Sequence, residues 1–146
     1  MISFNKARTQ ILSDAIELST DVLKAMLVTV VYVPDKADIS ISAGAAAAEL
    51  SGTGYAAGFA GSGRKTLTSI AVTQDDANDW AKWTAGNLTW TGINAGTAAA
   101  VVVYKHITSD SASVPIVHID GGFGPTSTNG GDLPLNWGSN GIFTFS

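Results

Sequence analysis

The sequence lacks cysteine, and this absence excludes several kinds of chemistry at once. Without a thiol there is no disulfide, no thiolate zinc site and no cysteine nucleophile. The chain has 146 residues. A chain of this length buries roughly 68–70% of its unfolded surface when it folds. We therefore expect one compact domain that needs neither a metal nor a disulfide.

Charge is also scarce, since only 14% of the residues are charged against about 25% in an average domain. The formal net charge is −4, and the eight Lys and Arg residues are scattered along the chain. A nucleic-acid partner is therefore not expected, because phosphate binding needs a concentrated basic surface. A surface of Ser, Thr, Asn, Gly and Ala favours permanent packing against other subunits.

Long hydrophobic runs are missing as well. The longest one, Ala25–Val33, is interrupted only by Thr29 and is far shorter than the ~20 residues that cross a bilayer. The N-terminus has no charged start followed by an apolar run, so we expect neither a signal peptide nor a membrane segment.

Short apolar segments alternate with glycine and turn residues throughout the chain. This spacing predicts an all-β fold, either an antiparallel β-sandwich or an open β-barrel. The clearest strands are Thr97–Ile107, which is apolar on both faces until Lys105 and is expected mid-sheet, and Val114–Ile119. A further strand, Lys65–Thr73, has a slip in its alternation that indicates a bulge.

Three predictions concern the ends of the chain and its first apolar run. Val28–Val33 is expected to be a buried central strand, although Ser13–Met26 before it also fits one face of a helix. Leu133–Trp137 and Ile142–Phe145 flank an Asn-Gly turn, which predicts a C-terminal hairpin. Residues 1–12 are interpreted as an N-terminal arm, and residues 13–146 as a single β-sandwich domain.

Few residues offer catalytic or metal-binding chemistry. His106 and His118 both lie on predicted strands without a metal-ligand spacing, and we interpret them as strand-edge or interface imidazoles. Asp75, Asp76 and Asp79 form an acidic cluster that fits either a calcium loop or, more simply, a turn. No acid pair and no Gly-x-Ser-x-Gly motif marks a hydrolase. We therefore predict no catalytic residue, metal or cofactor, and no enzymatic activity.

The four tryptophans admit two interpretations. Exposed indoles form platforms for sugar rings, whereas buried ones anchor cores and interfaces. Trp80 and Trp83 are three residues apart, so on one strand they face opposite sides and at most one lies in the core. The predicted interface residues are Phe4, Lys6, Arg8, Trp80 and Trp83.

Six segments occur in a characteristic order: DVLKAMLVTVVYVPD (Asp21–Asp35), ELSGTGYAAG (Glu49–Gly58), TLTSIAVTQDDANDWAKWTAGNLTWTGI (Thr66–Ile93), AAVVVYK (Ala99–Lys105), VPIVHIDGG (Val114–Gly122) and LNWGSNGIFTF (Leu135–Phe145). Together they resemble a family of small virion proteins of tailed bacteriophages, encoded among head and tail structural genes. The Ser-Gly-Thr-Gly-Tyr block at Ser51–Tyr55 is the most distinctive element.

The resemblance implies a virion component that is assembled in the host cytoplasm. We expect a capsid decoration (cement) protein, with the major capsid protein, neighbouring virion proteins and copies of itself as partners. A head–tail or tail accessory protein and a virion-displayed carbohydrate-binding module are the alternatives. The expected mechanism is adhesion between subunits.

Overall fold

Antiparallel strands dominate the computed structural model, which describes residues 1–77, 79–120 and 124–145. One helix, α1, spans Asn5–Leu12, and a 3-10 turn spans Ile41–Ala43. The strands in chain order are β1 (Ile2–Ser3), β2 (Leu23–Val28), β3 (Lys65–Thr66), β4 (Ala71–Asp75), β5 (Trp80–Thr84), β6 (Leu88–Trp90), β7 (Thr97–Ala98), β8 (Ala100–Lys105), β9 (Val114–Ile119), β10 (Thr126–Ser127), β11 (Leu133–Leu135) and β12 (Phe143–Phe145).

The main sheet has five strands in the order β1-β9-β8-β2-β3, all antiparallel. β8 lies at its centre, as predicted, because Val101, Val102 and Val103 supply apolar side chains to both faces and are fully buried. It is shorter than the predicted strand Thr97–Ile107, since Thr97–Ala98 form β7 in another sheet. β9 spans the predicted residues 114–119. A register shift at Val103/Tyr104 interrupts the β8–β9 pairing.

Three smaller sheets pack around the main one: β12-β5-β4, β11-β6 and β10-β7. Trp83 of β5 and Trp90 of β6 belong to the same core cluster as Leu23 and Leu27 of β2. Sheets from different parts of the chain thus share one hydrophobic interior. The all-β, sandwich-like fold is confirmed, and within the described residues no sheet closes into a barrel.

The first central strand is shifted relative to the prediction. It spans Leu23–Val28, in place of either a helix over Ser13–Met26 or a strand over Val28–Val33. Val28 pairs with Ala100, the first residue of β8, so the pairing between β2 and β8 ends there. The Thr29 N–H donates to the Ala48 carbonyl at 2.9 Å. The Thr29 carbonyl accepts a hydrogen bond from the Tyr32 N–H in a turn.

The predicted C-terminal hairpin is wrong. A turn does form where Gly138 and Gly141 adopt positive φ, but β11 pairs with β6 and β12 pairs with β5. Trp137 explains the divergence, because its buried indole N–H donates to the Gly86 carbonyl at 2.8 Å and holds this segment between β5 and β6. The local turn signal was correct, but tertiary burial determines which strands pair.

The predicted arm, residues 1–12, packs onto the domain. Ile2 and Ser3 pair with β9, and Phe4 is fully buried. In α1 the buried Ala7 and the half-buried Ile11 turn toward the core, and the helix packs against β9 of the main sheet. Only Phe4, Ala7 and Ile11 need to be apolar for this packing, because their spacing of three and four residues puts them on one helix face. The rest of the segment can be polar, so its composition resembles that of an exposed arm.

The predicted strand Lys65–Thr73 is broken in two. Ser69 has a φ of +50° in place of the expected bulge, and β3 and β4 join different sheets on either side of it. This break places β4 at the edge of the three-stranded sheet.

Candidate interaction surface

The most polar cluster of the interior is an ion network centred on Arg64. Its guanidinium donates to Glu49 from Nε at 2.9 Å and from Nη2 at 2.7 Å, and to Asp110 from Nη1 at 2.5 Å and from Nη2 at 3.0 Å. The central carbon of the guanidinium, Cζ, also lies 5.7 Å from the centre of the Tyr104 ring. The side chains of Arg64 and Glu49 are each 1% exposed.

The other bonds of Glu49 indicate that the network fastens loops. Glu49 accepts from the Gly58 N–H at 2.9 Å and from the Tyr55 hydroxyl at 3.2 Å, and Tyr55 in turn accepts from the Leu27 N–H at 2.9 Å. Burial lowers the pKa of Arg64, but its hydrogen bonds to both carboxylates outweigh that effect and hold it above its ordinary value. Both acids are engaged by a fixed cation, which suits stability more than proton transfer.

Sequence reasoning did not find this network. Arg64 is 15 residues from Glu49 and 46 from Asp110, so no spacing motif connects them. The one signal was compositional, since Arg64 is one of only two arginines.

The two histidines lie apart and pack against aromatic rings. His118 is buried on β9 opposite Val102, with its ring edge-on to Tyr32 at 5.6 Å. His106 follows the far end of β8 and stacks on Phe59 at 4.7 Å. Burial lowers the pKa of both imidazoles, which favours their neutral form. Among the residues that the structure describes, no three His, Asp or Glu side chains gather as a metal site.

The acidic cluster lies in the turn between β4 and β5. Asp75 ends β4, Asp76 accepts a hydrogen bond from Gln74, and Asp79 has a φ of +55° directly before β5. The turn interpretation is therefore confirmed for the described residues of this segment, with residue 78 outside them. Asp tolerates such a backbone conformation, which explains its presence at position 79.

The tryptophans and tyrosines are mostly interior. Of the seven such residues, six are buried: Tyr32, Tyr55, Trp83, Trp90, Tyr104 and Trp137. The indole N–H groups of Trp90 and Trp137 are taken by the carbonyls of Gly63 and Gly86. Only Trp80 is partly exposed. The tryptophans and tyrosines therefore serve mainly the core, and the carbohydrate-binding alternative stays a prediction.

The five predicted interface residues are divided by the structure. Phe4 and Trp83 are core residues, which corrects their assignment as interface contacts: each fills a packed site in its own domain. Lys6 is half-buried and Arg8 is exposed, both on α1. Trp80 faces away from Trp83 on β5, as their spacing predicts.

A surface that the sequence did not predict as exposed is the segment 30–39, here named the apolar loop. Val30, Val31 and Val33 are 66%, 77% and 82% exposed, and Ile39 is also exposed. Residues 30–33 were expected to be buried because β-branched runs favour strands. The signal that could have revealed this exposure is the length of the apolar run. The run continues to Val33, whereas β2 ends at Val28.

The apolar loop is anchored at several points. The Tyr32 ring is buried against His118, and its hydroxyl donates to Asp38 at 3.4 Å. Asp35 accepts from the Ala37 N–H at 2.9 Å. The carbonyl of the intervening lysine, residue 36, accepts from α1 at 2.9 Å. The exposed valines are therefore presented on a fixed backbone beside α1.

A cleft also lies beside α1. A cavity of about 240 Å³ lies between α1 and β12, lined mainly by the apolar side chains of Ala7, Ile11, Phe143 and Phe145. Arg8 lies at its rim with its guanidinium bound to a neighbouring serine hydroxyl. We name the apolar loop, the exposed side of α1 and this cleft together the α1 surface.

Comparison with protein-family models, with curated proteins and with solved structures found no match for this chain. In the part of the chain that the structure describes, no helix has the length and apolar character to cross a membrane.

Proposed function

We propose that this chain is a structural subunit of a tailed-bacteriophage particle, and that it acts as a capsid decoration (cement) protein. The observation that carries this proposal is the apolar loop, where three exposed valines are held on an anchored backbone. Large exposed apolar patches mark contact sites in soluble proteins. The resemblance of the six sequence segments to phage virion proteins supplies the identity of the partner.

Adhesion through the α1 surface follows from its composition. Fully burying a valine contributes about 1.5–3 kcal/mol. From their partial exposure, the three loop valines contribute on the order of 3–6 kcal/mol per copy when covered. The anchored loop loses little conformational freedom on binding, so more of this energy appears as affinity. Repetition by the symmetry of a shell multiplies the effect.

The proposed partners are the major capsid protein and neighbouring virion proteins, which cover the valines and insert side chains into the cleft beside α1. Assembly takes place in the host cytoplasm, and the protein then stays in the virion. No chemical step is required, which fits a chain in which Arg64 engages both Glu49 and Asp110. A head–tail or tail accessory role uses the same adhesion and differs in the location of the protein on the particle.

The test uses phage particles that lack this chain. Removal should lower the temperature at which the heads lose DNA, and adding back the purified wild-type protein should restore it. A Val31→Asp variant should fold but fail to bind the heads, because a carboxylate would enter an apolar contact.

The matched control is Val22→Asp, since Val22 is another exposed valine and lies at the opposite end of β2 from the loop. It should restore heat resistance like the wild type. Equal binding by Val31→Asp and Val22→Asp would reject the apolar loop as the contact. Particles whose heat resistance is unchanged by removal would reject the decoration role.

A further inference from the structure

β4 is the longest strand at a sheet edge in the described part of the chain. It has five residues, and there it pairs on one side only, with β5. The other edge strands have two or three residues each. Val72, Thr73 and Gln74 in the middle of β4 are all exposed.

The outer edge of β4 has no Lys, no Pro and no bulge, which are three of the devices that usually protect an edge. Monomeric proteins place Lys, Pro or a bulge on such strands to prevent pairing with another chain. The β4 segment AVTQD contains no Lys, Pro or Gly, and its five pairs with β5 run without a register shift. Within the described residues, no backbone group outside β5 bonds to residues 71–74. Such an edge is a template for another strand.

The sequence of β4 is complementary to itself in one antiparallel register. A two-fold axis at Thr73 places Thr73 opposite Thr73 of a second copy, Val72 opposite Gln74, and Ala71 opposite Asp75. Threonine pairs across strands are favourable. The two Asp75 side chains lie four residues apart along the strand, about 13 Å at strand spacing, which is beyond the Debye length of ~8 Å in physiological salt. A parallel pairing would instead place them side by side.

We propose that β4 pairs with β4 of a second copy of this chain, joining two three-stranded sheets into one six-stranded sheet. The register puts Val72, which is 52% exposed in the single chain, against the apolar part of Gln74 from the other copy. Such a contact is smaller than the ~1,200 Å² of a typical stable interface. We therefore expect a dimer whose population rises with concentration. This inference concerns the isolated chain and does not depend on the proposed virion role.

Sedimentation velocity over a range of concentrations tests the proposal. The wild-type chain should move from monomer toward dimer, and Thr73→Lys should shift the midpoint to at least tenfold higher concentration, because it places two ammonium groups opposite each other. Thr89→Lys is the matched control: Thr89 is exposed on β6, and its replacement adds the same charge away from β4. This control should dimerise like the wild type.

A second measurement covers the case in which Thr73→Lys does not fold. The chain has no cysteine, so Thr73→Cys introduces a single thiol that the two-fold axis places next to its copy. Mild oxidation should give a disulfide-linked dimer much faster than it does for Thr89→Cys. Equal crosslinking of the two cysteine variants, or a wild-type chain that stays monomeric throughout, would overturn the proposal.

Discussion

The Arg64 network gives the most quantitative prediction about this fold. Replacing Arg64 with Met keeps a long side chain but removes the cation that faces Glu49. Glu49 is 1% exposed, so its charge would stay buried without a partner, whereas Asp110 at 23% exposure can turn to water. Breaking a buried pair in this way costs about 3–5 kcal/mol.

This cost is a large part of the total stability. Domains of ordinary size unfold with about 5–15 kcal/mol, and urea slopes are about 1–3 kcal/mol per molar. The urea midpoint of Arg64→Met should therefore fall by roughly 1–5 M. The transition can be followed by tryptophan fluorescence, because Trp83 and Trp90 are buried in the native state.

The double variant Glu49→Gln with Arg64→Met separates charge burial from lost packing. It removes the stranded carboxylate, so it should be more stable than Arg64→Met alone. The reasoning would be refuted if Arg64→Met lost less than ~1 kcal/mol, the range of exposed ion pairs, or if the double variant were no more stable than Arg64→Met.

Three further predictions concern the interior. Tyr55→Phe should destabilise by about 1–3 kcal/mol in thermal melts, because the buried Leu27 N–H loses its acceptor; a smaller loss would mean that water replaces the hydroxyl. Burial lowers the pKa of His118 and outweighs the opposing effect of Asp120. The unfolded chain therefore binds the proton more readily than the folded one. The free energy of unfolding should fall as the pH drops below the unfolded pKa of ~6.5. His118→Gln should flatten this pH dependence, measured by urea unfolding at several pH values. Trp83→Ala should cost about 3–5 kcal/mol, whereas Trp80→Ala, on the opposite face of β5, should cost less than half as much.

Local patterns in the sequence predicted the strands that fill the centre of the fold. β8 and β9 are largely apolar segments, and such segments have few alternatives to a buried strand. The opposite faces of Trp80 and Trp83 followed from strand geometry alone.

Pairing partners were not predictable in the same way. The Asn-Gly turn near the C-terminus was correctly identified, yet β11 and β12 bond to strands distant in sequence. Which distant strands pair depends on the burial of side chains such as Trp137. Local sequence patterns do not carry that information. The exposure of Val31 has the same origin, since β2 stops at Val28, where its partner β8 begins.

The predicted interface residues coincide only partly with the proposed contact surface. Low charge and a lack of catalytic groups favour an adhesive surface, and this stays a prediction. Of the predicted residues, Arg8 and Lys6 lie on the α1 surface, whereas Phe4 and Trp83 are in the core. The polar composition of residues 1–12 concealed their docking on β9.

Quantitative mass spectrometry of density-purified phage particles tests the virion role most directly. The proposed role predicts many copies of this chain per particle, in a fixed ratio to the major capsid protein that persists through repeated purification. Intact, infectious particles without this chain, together with free chain in the lysate, would contradict it.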